Sequence, residues 1–206
     1  MPNNQPTLIR LAELTAIDSE YWARGIAFAG IDEAGRGPLA GPVAAGCAVM
    51  PETPLLPGID DSKKLSEPAR EALYDRILET ALFANVAFAS VQEIDALNIL
   101  EATRLAMERA AQGAPCRLFL LDHIEGVRLS GEQRAFVHGD ARVYSIAAAS
   151  ILAKVARDRA MRELDAAYPQ YGFAKHKGYG TAAHIAALRA HGPCPEHRRL
   201  FIRKYI

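Results

Sequence analysis

The sequence has little cysteine and no cysteine pair. Its three cysteines, Cys47, Cys116 and Cys194, are odd in number, widely spaced and outside any Cys-x-x-Cys pattern. A scattered set of this kind is typical of reduced thiols and argues against a disulfide framework or a zinc site. We therefore expect a protein of the reducing cytosol.

Long apolar runs are also missing. No stretch reaches the roughly 18 apolar residues that a membrane-spanning helix requires. The start of the chain, MPNNQPTLIRLAEL, lacks the basic residues and continuous apolar run of a secretory signal. Internal repeats and low-complexity linkers are absent too. With 206 residues, half of them hydrophobic, the chain predicts a soluble, cytoplasmic, monomeric protein with one main core and no membrane association.

The chain has no net charge, with 24 basic and 24 acidic residues, which by itself argues weakly against nucleic-acid binding. The balance is nevertheless uneven, because residues 1–150 carry 13 Lys and Arg against 20 Asp and Glu. Residues 151–206 carry 11 against 4, together with four of the six histidines. A basic C-terminal surface beside an acidic site would suit a polyanion held over metal-binding carboxylates. A solvated helical surface explains the same split equally well.

Hydrophobic patterning predicts an α/β domain. Apolar segments rich in Val, Ile, Leu and Phe indicate strands at residues 25–31, 43–50, 83–91 and 117–122, with a short fifth strand at 135–138. Helical spacing indicates helices at 66–82, 93–113 and 145–168, the first capped by Ser66 and the second ending at Gly113. Strands that come first and then alternate with helices predict three layers around a mixed sheet.

Two short segments flank this main domain in the predicted organisation. Residues 1–24 form an N-terminal helical extension. Residues 25–169 form the α/β domain. Residues 170–206 form a basic, helical C-terminal extension that packs on it.

Four acids fall where predicted strands end or a helix begins. Asp32 and Glu33 follow the first strand, Asp122 ends the apolar segment RLFLLD, and Asp140 precedes the long Ala-rich helix. Ligand sites in open α/β sheets form at the carboxyl ends of strands, so the four acids are expected to converge. Crowded carboxylates repel, whereas Mg²⁺ is bound by such oxygen ligands. The pattern favours metal-assisted phosphodiester hydrolysis with one or two ions, although a single acid at a strand end is commonly only a cap or a solubilising residue.

Five blocks of sequence in order carry a resemblance to a known family. They are GIDEAGRGPLAGPV, DDSKKLS, EIDALNILEATRLAM, GDARVYSIAAASILAKVARDR and YPQYGFAKHKGYGT. From about Gly25 to Phe201 the chain resembles ribonuclease HII. The resemblance implies a ribonuclease H-like α/β fold with a mixed five-stranded sheet flanked by helices and a small helical C-terminal extension.

The same resemblance implies an Mg²⁺- or Mn²⁺-dependent endonuclease with a two-metal site. Its substrates would be RNA–DNA hybrids and duplex DNA containing single ribonucleotides. It would cut on the 5′ side of the ribonucleotide and leave 3′-hydroxyl and 5′-phosphate ends. The 2′-hydroxyl is the group that distinguishes such a nucleotide from its DNA neighbours.

The resemblance also assigns expected roles to individual residues. The metal-binding, catalytic acids would be Asp32, Glu33, Asp122 and Asp140. The loop that recognises the ribose 2′-hydroxyl would be Gly35, Arg36 and Gly37, and Tyr179 would pack on the deoxyribose that follows the ribonucleotide. Candidate phosphate contacts are Lys63, Lys64, His176 and Lys177.

One position departs from the family pattern. The family usually has Asp-Gly after the third conserved strand, whereas this chain has Asp122 followed by His123, with Glu125 close behind. A side chain at position 123 could crowd the metal site or add a ligand. Glu125 competes with Asp122 for the role of third acid, although Asp122 has the more rigid position at a strand end.

Two other readings stay open at this stage. One is a different two-metal nuclease or nucleotidyl transferase of the resolvase or integrase kind, which would need no 2′-hydroxyl reader such as Gly35–Arg36–Gly37. The other is a nucleic-acid-binding protein without catalysis, which the presence of all four acids disfavours.

Overall fold

The computed structural model describes residues 5–206, so residues 1–4 of the predicted N-terminal extension lie outside the described residues. The helices in this range are α1 (Gln5–Trp22), α2 (Glu67–Thr80), α3 (Val91–Leu97), α4 (Ile99–Ala110), α5 (Tyr144–Ala167), α6 (Phe173–His176), α7 (Ala182–His191) and α8 (Arg199–Ile202). The strands are β1 (Phe28–Ala34), β2 (Val43–Val49), β3 (Phe83–Ala89), β4 (Leu118–Asp122) and β5 (Glu132–Phe136). Across residues 5–206, every helix is too short or too polar to cross a bilayer.

The five strands form one mixed sheet in the order β3-β2-β1-β4-β5. β2 is antiparallel to both β1 and β3, and the glycine-rich connection between β1 and β2 is short enough for such a pair. β4 is parallel to β1 and to β5. Helices α1, α2 and α5 cover one face of the sheet, and α3 and α4 cover the other. This is the three-layer α/β fold that the sequence predicts.

α5 packs directly on the backbone of the two central strands. A Cβ at Gly30 would lie 2.1 Å from the backbone carbon of Ser145, and one at Gly46 would lie 2.3 Å from the carbonyl oxygen of Ala149. Only glycine allows this approach of helix and sheet. Gly46 pairs in register with Asp32. The first turns of α5 are therefore held beside Asp32.

α1 supplies the N-terminal cap of α5. Asp18 accepts the backbone N–H groups of Tyr144 and Ser145 at 2.9 and 3.0 Å, whereas the cap residue Val143 offers no side-chain acceptor. Burial raises the pKa of Asp18 to about 6. Because unpaired N–H groups at a buried helix start are costly, α1 stabilises the beginning of α5.

The single helix predicted over 93–113 is wrong. The chain forms α3 and α4 with a break at Asn98, whose φ is 77°. The Asn98 side chain accepts the N–H groups of Leu100 and Glu101, and its own N–H donates to the carbonyl of Ile94. Asn98 therefore ends α3 and starts α4. The apolar residues keep their helical spacing across the break, so the sequence pattern does not indicate it.

Two strand boundaries also differ from the prediction. β1 continues through Asp32 and Glu33 to Ala34, past its predicted end at residue 31. β5 covers Glu132–Phe136 and not 135–138. Its residues are mostly exposed at the sheet edge, so the apolar signal of a buried strand is weak there.

The C-terminal segment packs against the connection between β1 and β2. Leu39 of that connection lies in a buried cluster with Leu188 and Ile202, and Ala40 forms an isolated β-bridge with His197. Residues far apart in sequence are thereby brought to the end of β1.

Candidate active site

Strand register places two carboxylates side by side. Ile31 of β1 pairs with Leu121 of the parallel strand β4, so the residues that follow, Asp32 and Asp122, are adjacent. Side chains alternate between the faces of a sheet, and the alternation puts both acids on the α5 face. Their convergence follows from two parallel neighbours ending at the same edge.

A third carboxylate joins them from the turn before α5. Asp140 lies in the 3-10 turn Gly139–Ala141, and the N–H of Gly139 donates to Asp122 Oδ1 at 2.6 Å. One carboxylate oxygen from each of Asp32, Asp122 and Asp140 lies within 4.8 Å of the others. We call these three residues the acid cluster.

Glu33 lies differently from its neighbour Asp32. Because β1 continues through both residues, their side chains leave opposite faces of the strand. Glu33 Oε1 is 3.4 Å from Arg36 Nη1. Its Oε2 is buried and has no hydrogen-bond partner in the part of the chain that the structure describes. The charge of Glu33 contributes to the raised pKa of Asp32. The carboxylate oxygens of Glu33 are nevertheless not part of the group that lies within 4.8 Å.

The carboxylates disfavour one another's charge. Burial, with the charges of Glu33 and Asp122, raises the pKa of Asp32 well above its usual range. Burial also raises the pKa of Glu33 and of Asp122. A set of buried carboxylate oxygens, one of them without a partner, fits a hard divalent cation such as Mg²⁺ or Mn²⁺ and offers no soft ligand.

Lys63 forms an ion pair with a member of the acid cluster. Its Nζ lies 3.0 Å from Asp140 Oδ2, while its side chain is 77% exposed. Lys64, in the same loop, lies 3.7 Å from Asp60. Arg10 of α1 binds Asp60 at 2.6 Å and also the carbonyl oxygen next to Asp140 at 2.8 Å. α1 therefore links the lysine loop to the turn that carries Asp140.

The glycine-arginine loop and Tyr179 lie next to each other beyond β1. Gly35 has φ +98°, and a Cβ there would lie 1.9 Å from Arg157 Nε, so the position requires glycine. A Cβ at Gly37 would lie 3.8 Å from Tyr179 Cε1, an ordinary contact. The Tyr179 ring is exposed. The structure thus brings the two predicted sugar-contacting elements together at the surface.

The polar side-chain atoms of His176, at the end of α6, and of Lys177, which follows it, are engaged by other protein groups. His176 Nδ1 accepts the N–H of Gly178 at 3.2 Å, so its Nε2 carries the proton and donates to Tyr171 O at 2.7 Å. Lys177 Nζ donates to Ala174 O at 2.6 Å, and its side chain is only 13% exposed. Lys177 Nζ also lies 3.8 Å from Glu67 Oε2 of α2. Their role as phosphate contacts stays a prediction.

Two neutral histidines support the backbone at Tyr179. The N–H of Cys194 donates to His197 Nδ1 at 3.0 Å, so His197 carries its proton on Nε2. That proton points to His184 Nε2 at 3.1 Å, which leaves His184 Nδ1–H to donate to Tyr179 O at 2.9 Å. Burial lowers the pKa of both rings, that of His197 to about 4. Both histidines are therefore neutral at pH 7. They form a chain of hydrogen bonds in which each group donates to the next, from Cys194 N–H to the carbonyl oxygen of Tyr179.

Sequence reasoning missed two buried arginines that hold these loops. Arg157 donates to the carbonyl oxygens of Ala40, Pro42 and Lys177. Arg198 donates to carbonyls of the glycine-arginine loop. Arg157 lies four residues from other buried positions of α5, so the helical spacing could have indicated that it is buried. The short sequence HRRL around Arg198 has no periodicity that would indicate burial.

The unusual His123 and Glu125 lie beside the acid cluster. His123 has φ +53°, the left-handed region that favours glycine, and both side chains are exposed. His123, Glu125 and Arg36 are among the residues that line a cavity of about 430 Å³. A second cavity, of about 810 Å³, lies between α3 and the C-terminal segment, and none of the four acids lines it. Asp122 shares the cluster geometry and Glu125 does not.

The chain is similar to proteins of one family. The family model described as Ribonuclease HII matches residues 29–204. Ribonuclease HII of Desulfitobacterium hafniense (strain DSM 10664 / DCB-2) is 52% identical over 195 residues, covering 93% of this chain and 75% of that protein. Ribonuclease HII of Paracidovorax citrulli (strain AAC00-1) is 57% identical over 176 residues, covering 84% and 73%. The crystal structure of the ribonuclease H2 from Pyrococcus horikoshii OT3 matches with a TM-score of 0.73 at 26% identity, covering 87% of this chain and 97% of that one.

Proposed function

The chain belongs to the ribonuclease HII family, endoribonucleases that act on the RNA of RNA–DNA hybrids, and from this premise we propose that it also cuts at single ribonucleotides embedded in duplex DNA. The cut would fall on the 5′ side of the ribonucleotide and leave 3′-hydroxyl and 5′-phosphate ends. One observation carries the proposal: the acid cluster lies at the end of β1, and the loop Gly35–Arg36–Gly37 with Tyr179 continues from that end.

The acid cluster and Glu33 would hold the divalent ions. Asp32, Asp122 and Asp140 offer converging oxygens, and Glu33 Oε2 is a buried acceptor without a partner within residues 5–206. When bound, Mg²⁺ or Mn²⁺ would activate the attacking water and stabilise the leaving oxygen. Gly139 N–H holds Asp122 in place through its 2.6 Å hydrogen bond, so the carboxylate is oriented before substrate arrives.

The residues around the cluster would position the nucleic acid. Exposed Lys63 would exchange its contact with Asp140 for a substrate phosphate. Gly37 allows the backbone to approach a ribose closely, and the exposed Tyr179 ring beside it would pack on the next sugar. Arg36, whose Nη1 lies 3.4 Å from Glu33 Oε1, would contact phosphate.

The three sequence segments would divide this work. Residues 25–169 carry the acids and the glycine-arginine loop, and residues 170–206 carry Tyr179 and its supporting histidines. The N-terminal segment would act as a support, through Asp18 at α5 and Arg10 at the lysine loop.

A panel of labelled duplexes tests the proposal. Wild-type protein with Mg²⁺ or Mn²⁺ is given an RNA–DNA hybrid, a DNA duplex with one ribonucleotide, and an all-DNA duplex. We expect cleavage of the first two and not of the third, with no cleavage in EDTA. Cleavage of the hybrid alone would overturn the single-ribonucleotide proposal, and cleavage of all three would favour a less selective two-metal nuclease.

A further inference from the structure

Arg198 binds the glycine-arginine loop from the inside of the protein. Its side chain is fully buried. Nη1 donates to the carbonyl oxygen of Arg36 at 2.9 Å, and Nη2 donates to that of Gly35 at 2.6 Å. Nε and Nη2 also bind the carbonyl of Gly41 at 2.9 and 2.8 Å, and Nη2 reaches Pro42 O at 3.2 Å. Within residues 5–206 its side-chain hydrogen bonds all go to backbone carbonyls.

These contacts fix the direction of two peptide planes. In a trans peptide the N–H points opposite to the C=O. The carbonyls of Gly35 and Arg36 both point inward to Arg198, so the N–H groups of Arg36 and Gly37 point away from it. Neither N–H donates to a protein acceptor within the described residues. Consecutive free N–H groups of this kind form a concave donor site for an oxygen or an anion.

We propose that Arg198 is a positioning residue for ribose recognition, which holds the loop so that the N–H groups of Arg36 and Gly37 face the ribose 2′-hydroxyl and its phosphate. The inference rests on the proposed function and adds a residue from the C-terminal segment to it. Arg198 does not touch substrate. It acts through the loop, in which Arg36 is 162 residues away in sequence.

The guanidinium group is suited to this role in a way that an ammonium is not. Its planar fork donates to several carbonyls at fixed angles, whereas lysine offers one compact group that cannot hold the same set. Gly35 is constrained from a second side, since Arg157 occupies the space where its Cβ would lie. The loop is therefore held by two arginines, and of these two Arg198 is the one that donates to the carbonyls of Gly35 and Arg36.

Duplex binding with EDTA present, so that no strand is cut, provides the test. The affinity of wild-type protein for a duplex with one ribonucleotide is compared with its affinity for the same all-DNA duplex. We expect wild type to prefer the ribonucleotide by about tenfold, the effect of one or two hydrogen bonds. Arg198→Lys should reduce the preference to about twofold or less and leave all-DNA affinity within about threefold, because phosphate contacts supply most of it.

Leu188→Ala is the matched control. Leu188 is fully buried in the same C-terminal segment but does not bond the loop, so this variant should lower the melting temperature and keep the ribonucleotide preference. In metal, kcat for the single-ribonucleotide duplex should fall about 100-fold in Arg198→Lys, with KM changed much less. A preference and kcat retained in folded Arg198→Lys would overturn the inference.

A measurement on the wild-type protein decides the case if Arg198→Lys does not fold. The amide resonances of Arg36 and Gly37 should shift differently with the ribonucleotide duplex than with the all-DNA duplex. Identical shifts with both duplexes would overturn the inference. If wild type shows no preference and no cleavage, the proposed function itself fails, which is a separate outcome.

Discussion

Replacing Asp32 with asparagine is expected to stabilise the metal-free protein while abolishing cleavage. Asp32 is 3% exposed and contributes an oxygen to a set of three that lie within 4.8 Å of one another. Asparagine has nearly the same shape, and its Oδ1 can still accept the Glu33 N–H that Asp32 accepts at 2.7 Å. The substitution therefore removes a buried charge without opening a cavity.

The size of the effect follows from Coulomb's law. Two like charges 4.8 Å apart repel by about 3.5 kcal/mol at an effective dielectric constant of about 20, and by about 0.9 kcal/mol in water. Relief of about 1–3 kcal/mol corresponds to a rise of roughly 3–10 °C in melting temperature for a chain of this size. Asp140→Asn should stabilise less, because it also removes the 3.0 Å contact with Lys63.

The effect should depend on pH in a defined direction. Burial and neighbouring charges raise the pKa of Asp32 in the folded state. The contribution of Asp32 to the free energy of unfolding is therefore highest at acid pH, where Asp32 is protonated in both states, and falls as the pH rises through that raised pKa. The gain from Asp32→Asn should accordingly be absent near pH 3, below the usual aspartate pKa of about 3.9, and should grow as the pH rises above that value toward the raised pKa of the folded state.

Thermal unfolding in EDTA checks this prediction, with the exposed Glu125→Gln as a control that should not change. Millimolar Mg²⁺ should then raise the melting temperature of wild type more than that of Asp32→Asn, because a ligand stabilises the state that binds it. A lower melting temperature for Asp32→Asn in EDTA, or equal stabilisation of both proteins by Mg²⁺, would refute the reasoning.

Four further predictions concern the surroundings of the acid cluster. Gly37→Ala should reduce cleavage about 10- to 100-fold by displacing the sugar, with duplex affinity nearly unchanged; an unchanged rate on a single-ribonucleotide duplex would contradict it. Tyr179→Ala should impair cleavage of that duplex more than cleavage of a continuous hybrid, and equal loss on both would make it a general packing residue. Asp122→Asn should abolish cleavage while Glu125→Gln leaves it nearly intact, and the reverse pattern in the same assay would make Glu125 the third acid. His123→Gly should relieve the left-handed conformation and raise the free energy of unfolding by up to about 1 kcal/mol in denaturant titrations, with a decrease counting against it.

Much of the site could be predicted from the sequence because strand ends are visible in it. The apolar run before Asp122 and the loop before α5 indicated where these acids lie, and the parallel register of β1 and β4 brings Asp32 and Asp122 together. The pattern did not reveal that Asp32 and Glu33 leave opposite faces of β1, and the role of Glu33 as a metal ligand stays a prediction. β1 continues through both residues, and alternation along a strand separates adjacent side chains.

One local backbone conformation and one set of long-range contacts explain what the sequence could not reveal. Asn98 interrupts a helical spacing that reads as continuous, because the break is made by its conformation and not by its polarity. Arg198 looks like one more residue of a basic C-terminal surface, yet it is buried against carbonyls 156 to 163 residues away. Periodicity reports the faces of one element and carries no information on such pairings.

The most direct test is to map the cut in a duplex that contains one ribonucleotide. The strand is labelled at either end, incubated with the protein and Mg²⁺, and run beside size markers with defined termini. We predict a single cut on the 5′ side of the ribonucleotide, with a 3′-hydroxyl and a 5′-phosphate, that is lost in EDTA and in Asp32→Asn. A cut at another position, different termini, or full activity in EDTA would contradict the assignment of the acid cluster as a metal-dependent centre for phosphodiester hydrolysis.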